Sequence, residues 1–539
     1  MTSGTAATAR DAITEGRTAL GIELGSTRIK ATLIDEAGAA LASGSATWEN
    51  QLVDGLWTYS LDAVHAGLRD AYADLVAVVA KEYDTQPTTF GALGVSAMMH
   101  GYLAFDADGE LLVPFRTWRN TNTGPAAEKL SQTFGVNIPL RWSVAHYYQA
   151  LLDHEPHLAD VHSLNTLAGY VHRLLSGTNV LGVGDASGMF PIDAATGGYD
   201  AALLEKFDEL ASAEGAKLRL AELLPPVLPA GAAAGELTKA GAAVLDPSGT
   251  LRAGVPLCPP EGDAGTGMVA TNAVSKRTGN VSAGTSIFAM VVLERPLATM
   301  HSEIDVVTTP EGLPVAMVHC NNGSSELGTW VGIFAEFAAA LGVSATSDQV
   351  FGAVLGGALE AGADADGLLA YNLLSGEPIA GLEEARPLFV RTPGSHLTLA
   401  GFARAQLYGV FATLSLGMKT LAAEGVAIDT MFAHGGLFRT GGIAQRVLAS
   451  AVGSSVSVGE SATEGGSWGI ALLAAYTRAV ANGTAADRDL GTWLNETVFA
   501  AAEAVVVEPT EADIADYAAY LDRWTAGLPV QHAAVDAIR

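Results

Sequence analysis

Two short β-rich apolar runs, Ala19 to Leu24 and Ile29 to Asp35, flank a polar turn built on Gly25-Ser26-Thr27. The pattern predicts two strands joined by a tight hairpin, with glycine permitting the turn and the hydroxyls at its tip. Glu36-Ala37-Gly38 closes the second strand, and a third is predicted to begin near Ala42. Apolar positions then take helical spacing from Ser60 to Tyr83, before a buried-strand run from Phe90 to Ala97. Hairpins first, then a helix feeding a further strand, is the grammar of a mixed α/β sheet. Residues Trp142 to Ser176 read as helices through Val144, Tyr147, Tyr148 and Leu151, and the Pro/Ala/Gly-rich stretch Leu220 to Val255 reads as a connection. The grammar recurs later. A hairpin over Val281 to Val292 carries Gly284-Thr285-Ser286 at its tip, and long helices are predicted over Ala403 to Glu424 and Gly465 to Asn482. The expected organisation is a loose tail over 1–18, one lobe over 19–275 and a second over 276–539.

With 539 residues the chain is too long for one core and suits two large domains. At 49% hydrophobic and 16% charged residues it can bury both cores, which argues against disorder. A formal net charge of -29 opposes nucleic acid and anionic membrane surfaces as partners. Only Cys258 and Cys320 occur, so neither a disulfide framework nor a thiolate zinc site is supported. Met1 to Arg17 lacks an apolar signal core, and the apolar stretches Thr278 to Leu293 and Ala405 to Gly417 are short for a membrane span. A soluble cytoplasmic protein is expected.

Either glycine-hydroxyl turn alone usually reads as an ordinary hairpin turn. Their recurrence in equivalent contexts points to two anion clips and to phosphoryl transfer. No GxxxxGK[ST] loop occurs, and no GxGxxG follows a strand with an acidic partner. Asp263, within Glu261-Gly-Asp-Ala-Gly-Thr-Gly267, is a carboxylate flanked by glycines, suited to take the proton of an attacking hydroxyl or simply to cap a helix. His434-Gly-Gly-Leu-Phe-Arg-Thr-Gly-Gly442, followed by Gln445 and Arg446, would let a planar base or ribose lie against backbone. Met98-Met99-His100-Gly101 after the apolar strand, with Trp118-Arg119-Asn120 downstream, supplies the mixed donors, acceptors and apolar walls a polyol needs. His154, His157, His162 and His172 form a rival metal cluster, but Pro156 interrupts it and no dense carboxylate or cysteine partner accompanies it.

Taken in order from about Ala19 to about Val480, these segments resemble the FGGY carbohydrate kinase family, of the xylulokinase and ribulokinase type. The resemblance implies an α/β fold of two actin-like (ribonuclease-H-like) lobes with an interlobe cleft. It implies ATP and Mg²⁺ as cofactors, a small-molecule sugar as substrate, and a homodimer. It assigns the ATP phosphates to Gly25, Ser26, Thr27 and Lys30 and to Gly284, Thr285 and Ser286, and the adenosine to Gly435, Gly436 and Gln445. Asp263 becomes the catalytic base, and Met99, His100, Gly101, Trp118, Arg119 and Asn120 join it in binding substrate. Gly184-Asp-Ala-Ser-Gly188, Phe190-Pro-Ile-Asp193, Tyr371-Asn-Leu-Leu-Ser-Gly-Glu-Pro378 and Glu464 to Gly469 match further family stretches.

Four departures stand out. Glu23 replaces the usual Asp of the first hairpin, where a water would bridge it to the metal. Asn120 replaces an acidic residue, Ala264 an amide, and Leu437-Phe438 small residues of the adenosine loop. The expected reaction is phosphorylation of a primary hydroxyl on a small ketose, most simply a pentulose. The rivals are another ketose or polyol as acceptor, a sugar-responsive regulator, and an actin-like ATPase acting on proteins.

Overall fold

The computed structural model describes residues 3–459, 465–502 and 504–538. The chain forms two compact units. Unit 1 comprises 1–274, 306–315 and 461–502, and unit 2 comprises 275–305, 316–460 and 503–539. The chain first passes from unit 1 to unit 2 between Val274 and Ser275. The later returns to unit 1 correct the simple two-part division, because the helix Gly466–Ala481 completes the first unit.

In unit 1 the strands are β1 (Ala19–Leu24), β2 (Arg28–Ile34), β3 (Ala40–Thr47), β4 (Ala92–Ala97) and β5 (Glu261–Gly262), in the spatial order β5-β4-β1-β2-β3. β1 pairs antiparallel with β2 and parallel with β4, and β5 lies parallel to β4. Leu20, Ile22 and Leu24 of β1 join Ile29, Ala31 and Leu33 of β2 in one apolar core under the helix Leu61–Tyr83. That helix starts at Ser60, whose hydroxyl accepts the Ala63 N–H at 3.1 Å.

The opposite face carries Gly21, Glu23, Lys30 and Thr32, and here the helix Gly466–Ala481 lies directly on the sheet. A Cβ on Gly21 would sit 2.1 Å from the Ser467 carbonyl oxygen, so only glycine admits this approach. Thr32 and Ser467 exchange a buried hydroxyl hydrogen bond of 2.9 Å beside it.

The expected tail is also corrected. Residues Ser3–Thr14 form a helix in which Ala9, Ala12 and Ile13 are buried, and Ala9 and Ile13 join the core of unit 1. Its i, i+3, i+4 apolar stripe is short, but a ready-made hydrophobic surface gives it somewhere to fold.

Unit 2 repeats the plan with β6 (Thr278–Ala283), β7 (Ile287–Val292), β8 (Ile304–Thr308, of which 304–305 belong to this unit), β9 (Pro314–Cys320, of which 316–320 belong to it), β10 (Thr430–His434), β11 (Ser455–Gly459) and β12 (Ala504–Val507). The order β9-β7-β6-β10-β11 reproduces β3-β2-β1-β4-β5, with β8 and β12 added at the edges. β6 pairs antiparallel with β7 and parallel with β10. The helix Leu399–Ala423, with eighteen buried residues, forms the spine of this unit's core. Both units thus have the ribonuclease-H-like arrangement of hairpin, third strand and parallel continuation.

Candidate active site

The Gly25-Ser26-Thr27 turn is held from behind through its carbonyls. The Gly25 carbonyl accepts the Trp48 indole N–H at 2.7 Å, and the Ser26 carbonyl accepts the Tyr59 hydroxyl at 2.7 Å. The Thr27 carbonyl accepts the Trp48 backbone N–H at 3.2 Å. A trans peptide points its N–H opposite to its C=O. Pulling three carbonyls down therefore turns the N–H groups of Ser26, Thr27 and Arg28 outward, beside exposed Ser26 and Thr27 side chains. Outward N–H groups of this kind can receive an anion. Trp48 and Tyr59 stack with ring centroids 4.1 Å apart, which stiffens the support. Neither residue stands out in the sequence, since each lies more than twenty positions from the turn.

The Gly284-Thr285-Ser286 turn follows the same logic within unit 2. The Gly284 carbonyl accepts both the Ser324 N–H (2.8 Å) and the Ser324 hydroxyl (2.9 Å), so the Thr285 N–H faces the other way. Gly435 comes next to this hairpin at the end of β10. Its φ of +120° and the 2.2 Å that would separate its Cβ from the Ala283 carbonyl oxygen both require glycine. Leu437 and Phe438 turn into the core at 5% and 8% exposure, so their bulk is spent inside unit 2. His434 ahead of them is half-buried, and burial lowers its pKa.

Asp263 lies at the carboxyl end of β5 and opens the helix Asp263–Ala270. Its Oδ1 accepts the Met99 N–H at 3.0 Å, which joins it to the segment leaving the neighbouring parallel strand β4. The carboxyl is open to solvent yet deeply surrounded by protein. That surrounding mass raises its pKa, against the Met99, Ala264 and Asp263 amides and the Arg141 charge.

Three further carboxyls gather near it. Glu23 on β1 accepts the Ser467 N–H at 3.1 Å through Oε2. Desolvation, with repulsion from Asp263, pushes it up to about 7 despite Lys30, its cross-strand partner. Glu261 is buried and accepts the Gly184 and Asp185 N–H groups at 3.2 and 2.9 Å; desolvation and the Asp185 charge push it to about 8. Asp185, fully buried, accepts the Thr166 hydroxyl at 2.6 Å and is raised by desolvation to about 7. Sequence reading flagged the stretches holding Glu261 and Asp185, but gave neither carboxyl a role.

Beyond Met99 the backbone turns sharply, with φ of +71° at His100 and +95° at Gly101. The His100 ring is buried, lies 6.3 Å from the Trp142 ring and donates from Nδ1 to the Gly188 carbonyl at 3.4 Å. Burial and Arg141 hold its pKa well below the ordinary value, so the imidazole is neutral and Nε2 is an acceptor. Trp118, 42% exposed, and Arg119 face solvent, and the Arg119 guanidinium stacks 4.1 Å over the Trp57 ring.

Two expectations change here. Asn120 is a backbone clamp: its Oδ1 accepts the Trp57 N–H (2.9 Å), and its Nδ2 donates to the Trp57 and Thr117 carbonyls (2.8 and 3.1 Å). Gln445 is likewise buried, and its Nε2 donates to the Val456 and Val505 carbonyls at 2.8 and 2.7 Å, tying β11 to β12. Both amides bridge strand backbone that local sequence does not reveal. Glu464, expected to match a family stretch, lies outside the described residues.

Of the four rival histidines, His157 and His172 are buried and His154 and His162 are exposed. His157 faces Glu155 at 3.3 Å and the Tyr102 hydroxyl at 2.8 Å, while His172 bonds the Ala234 carbonyl. Among the described residues, no group of three or more His, Cys, Asp or Glu is arranged to hold a metal. No described helix is long and apolar enough to cross a membrane.

Comparison with known proteins places this geometry. Residues 18–269 match the N-terminal domain of the FGGY family of carbohydrate kinases, and residues 279–478 match its C-terminal domain. The fold is similar to a xyloylose kinase from Brucella ovis (TM-score 0.75, 20% identity, 96% of this chain and 99% of that one). It is also similar to a gluconate kinase from Lactobacillus acidophilus (0.75, 17%, 95% and 97%). A glycerol kinase from Plasmodium falciparum solved with ADP is a third such structure (0.73, 12%, 95% and 98%). No curated protein matches the sequence. With both family domains present in order and the ribonuclease-H-like plan in each unit, the chain belongs to the FGGY family of carbohydrate kinases, phosphotransferases that use ATP on an alcohol group.

Proposed function

We propose that this kinase phosphorylates a primary hydroxyl of a small ketose, with a pentulose such as xylulose or ribulose as acceptor. The observation that carries the reading is Asp263. It is solvent-accessible, opens a helix at the end of a parallel strand, and is pinned by the Met99 N–H beside His100 and Gly101. Asp263 takes the proton of the acceptor hydroxyl as the new oxygen–phosphorus bond forms and the bond from the γ-phosphorus to ADP breaks. Met99, His100, Gly101, Trp118 and Arg119 are the proposed sugar contacts; His100 supplies an acceptor and Arg119 a donor. Xylulose kinases among the similar folds, from Lactobacillus acidophilus and Rhodospirillum rubrum, agree with a ketopentose.

Each hairpin turn is assigned to phosphate, with Lys30 beside the first turn, and Gly435 and Gly436 to the adenosine. The residues also suit Mg²⁺ delivered with the nucleotide. That ion keeps several waters and needs only one or two carboxylates besides the phosphates, and Glu23, with Oε2 tied to Ser467, can meet a hydrated ion through Oε1. When bound, it neutralises charge on the transferring phosphoryl group.

ADP release measured against D- and L-xylulose, D- and L-ribulose, erythrulose, fructose and glycerol tests the acceptor. A sharp response to one pentulose is expected; a response confined to glycerol or fructose would overturn it. A second test concerns the first turn. Tyr59→Phe removes the hydroxyl bond to the Ser26 carbonyl, and KM for MgATP should rise about fivefold, the size of one net hydrogen bond, while KM for the sugar holds. An unchanged KM for MgATP would detach the turn from the nucleotide.

A further inference from the structure

The segment Tyr371 to Pro378 matches a family stretch, yet nothing in the proposed chemistry uses it. Its Glu377 is 0% exposed and has no cationic partner among the described residues, an expensive placement for a carboxyl. The structure shows what occupies it. Glu377 Oε1 accepts the Asn321 N–H at 3.2 Å, and Oε2 accepts the Asn322 N–H at 3.2 Å and the Asn322 amide at 3.0 Å.

Asn322 then reaches back. Its Oδ1 accepts the Leu374 and Ser375 N–H groups at 2.8 and 3.1 Å, while the Asn321 amide donates to the Gly376 carbonyl at 2.8 Å. The two loops are thereby locked together. Two residues further along this grip, Ser324 gives both its N–H and its hydroxyl to the Gly284 carbonyl. Between them, Gly323 packs so tightly that a Cβ would lie 2.4 Å from the Gly284 carbonyl oxygen and 3.0 Å from that of Thr285.

We infer that Glu377 is the positioning residue of the second hairpin turn: through Asn321, Asn322 and Ser324 it fixes the direction of the Gly284 carbonyl, and so of the Thr285 N–H. The carboxyl touches no substrate and acts only through this loop. Burial raises its pKa while the three amide donors oppose that shift, as befits a group whose hydrogen bonds go wholly to protein. The inference rests on the reading of Gly284-Thr285-Ser286 as a phosphate turn.

The test compares Glu377→Gln with Gly323→Ala, which presses on the turn directly. Binding of adenosine and of the Mg²⁺ complex of a non-hydrolysable ATP analogue is measured by titration calorimetry. Glu377→Gln exchanges one acceptor for a donor opposite an amide N–H. It should weaken the analogue about tenfold, as expected when a buried charged acceptor is lost, and leave adenosine unchanged. General loosening of unit 2 would weaken both ligands alike, and that result, or no change in either, overturns the inference. If Gly323→Ala weakens the analogue and Glu377→Gln does not, the inference fails while the phosphate turn stands. If Gly323→Ala leaves the analogue untouched, the phosphate turn itself fails. Should Glu377→Gln not fold, Ser324→Ala, which deletes one of the two bonds to the Gly284 carbonyl, carries the same comparison.

Discussion

Asp263→Asn is expected to lower kcat for sugar phosphorylation by roughly 10²–10⁴, the range a positioned general base supplies, with MgATP affinity unchanged. The substitution is chosen for what it preserves. Asparagine keeps an oxygen for the Met99 N–H, so the junction between β4 and the helix Asp263–Ala270 remains and only proton acceptance is lost. Asp263→Ala removes the hydrogen bond as well, and should be equally inactive but less stable. Rate measurements on saturating sugar and nucleotide, with nucleotide affinity titrated separately, check both. Near-wild-type turnover in Asp263→Asn would remove the base from the mechanism. The raised pKa adds a sign: the charged form is the competent one, so activity should rise with pH along a limb above the ordinary aspartate range.

The second large effect is on stability. Glu261 and Asp185 are buried; desolvation, with repulsion from Asp185 at Glu261 and from Asp263 at Asp185, pushes them up to about 8 and about 7. In the unfolded chain they titrate near 4. A carboxyl whose folded pKa is raised contributes stability that is complete below the unfolded value and is lost as pH climbs through the folded one. The pair's contribution to the stability of unit 1 should therefore be largest at about pH 4 and fall by several kcal/mol by pH 9, on the order of 1.4 kcal/mol for each unit of displaced pKa. Thermal melts across that range should show the fall. In Glu261→Gln the slope should flatten, although its absolute stability at pH 5 drops because one of the Gly184 and Asp185 amides loses its acceptor. An identical slope in the variant would exclude Glu261 as the titrating group.

How far the sequence foretold this depends on the range over which each signal acts. The hairpins at Gly25 and Gly284 were legible because a turn and its two strands are contiguous, and β4 because a buried strand has a compositional signature; its counterpart β10, only five residues long, was not foreseen. The supports were not. Trp48, Tyr59 and Ser324 hold turns that they do not adjoin in sequence, and aromatic or hydroxyl residues at such distances carry no pattern. Asn120 and Gln445 misled for the converse reason. A polar residue within a motif reads as available for ligand, whereas here the amides satisfy strand backbone that would otherwise be buried unpaired. The helix Ser3–Thr14 was missed because three apolar positions count for little until a core exists to receive them.

The return of 461–502 to unit 1 has a consequence for how the molecule is made. A ribosome delivers residues 1–274 long before the helix Gly466–Ala481, which must lie on β1 at Gly21. At about 5–20 residues per second, that face of the first sheet waits roughly 10–40 s for its cover. Through that interval Gly21, Thr32 and Ser96 line an uncovered surface that neighbouring nascent chains can reach. Unit 2's stretch 316–460 emerges within that wait, and its own closing stretch, 503–539, follows only after unit 1 is complete. A fragment ending at Val274 should accordingly need a chaperone or aggregate, while one extended to Ala502 has every strand and helix that its first sheet requires.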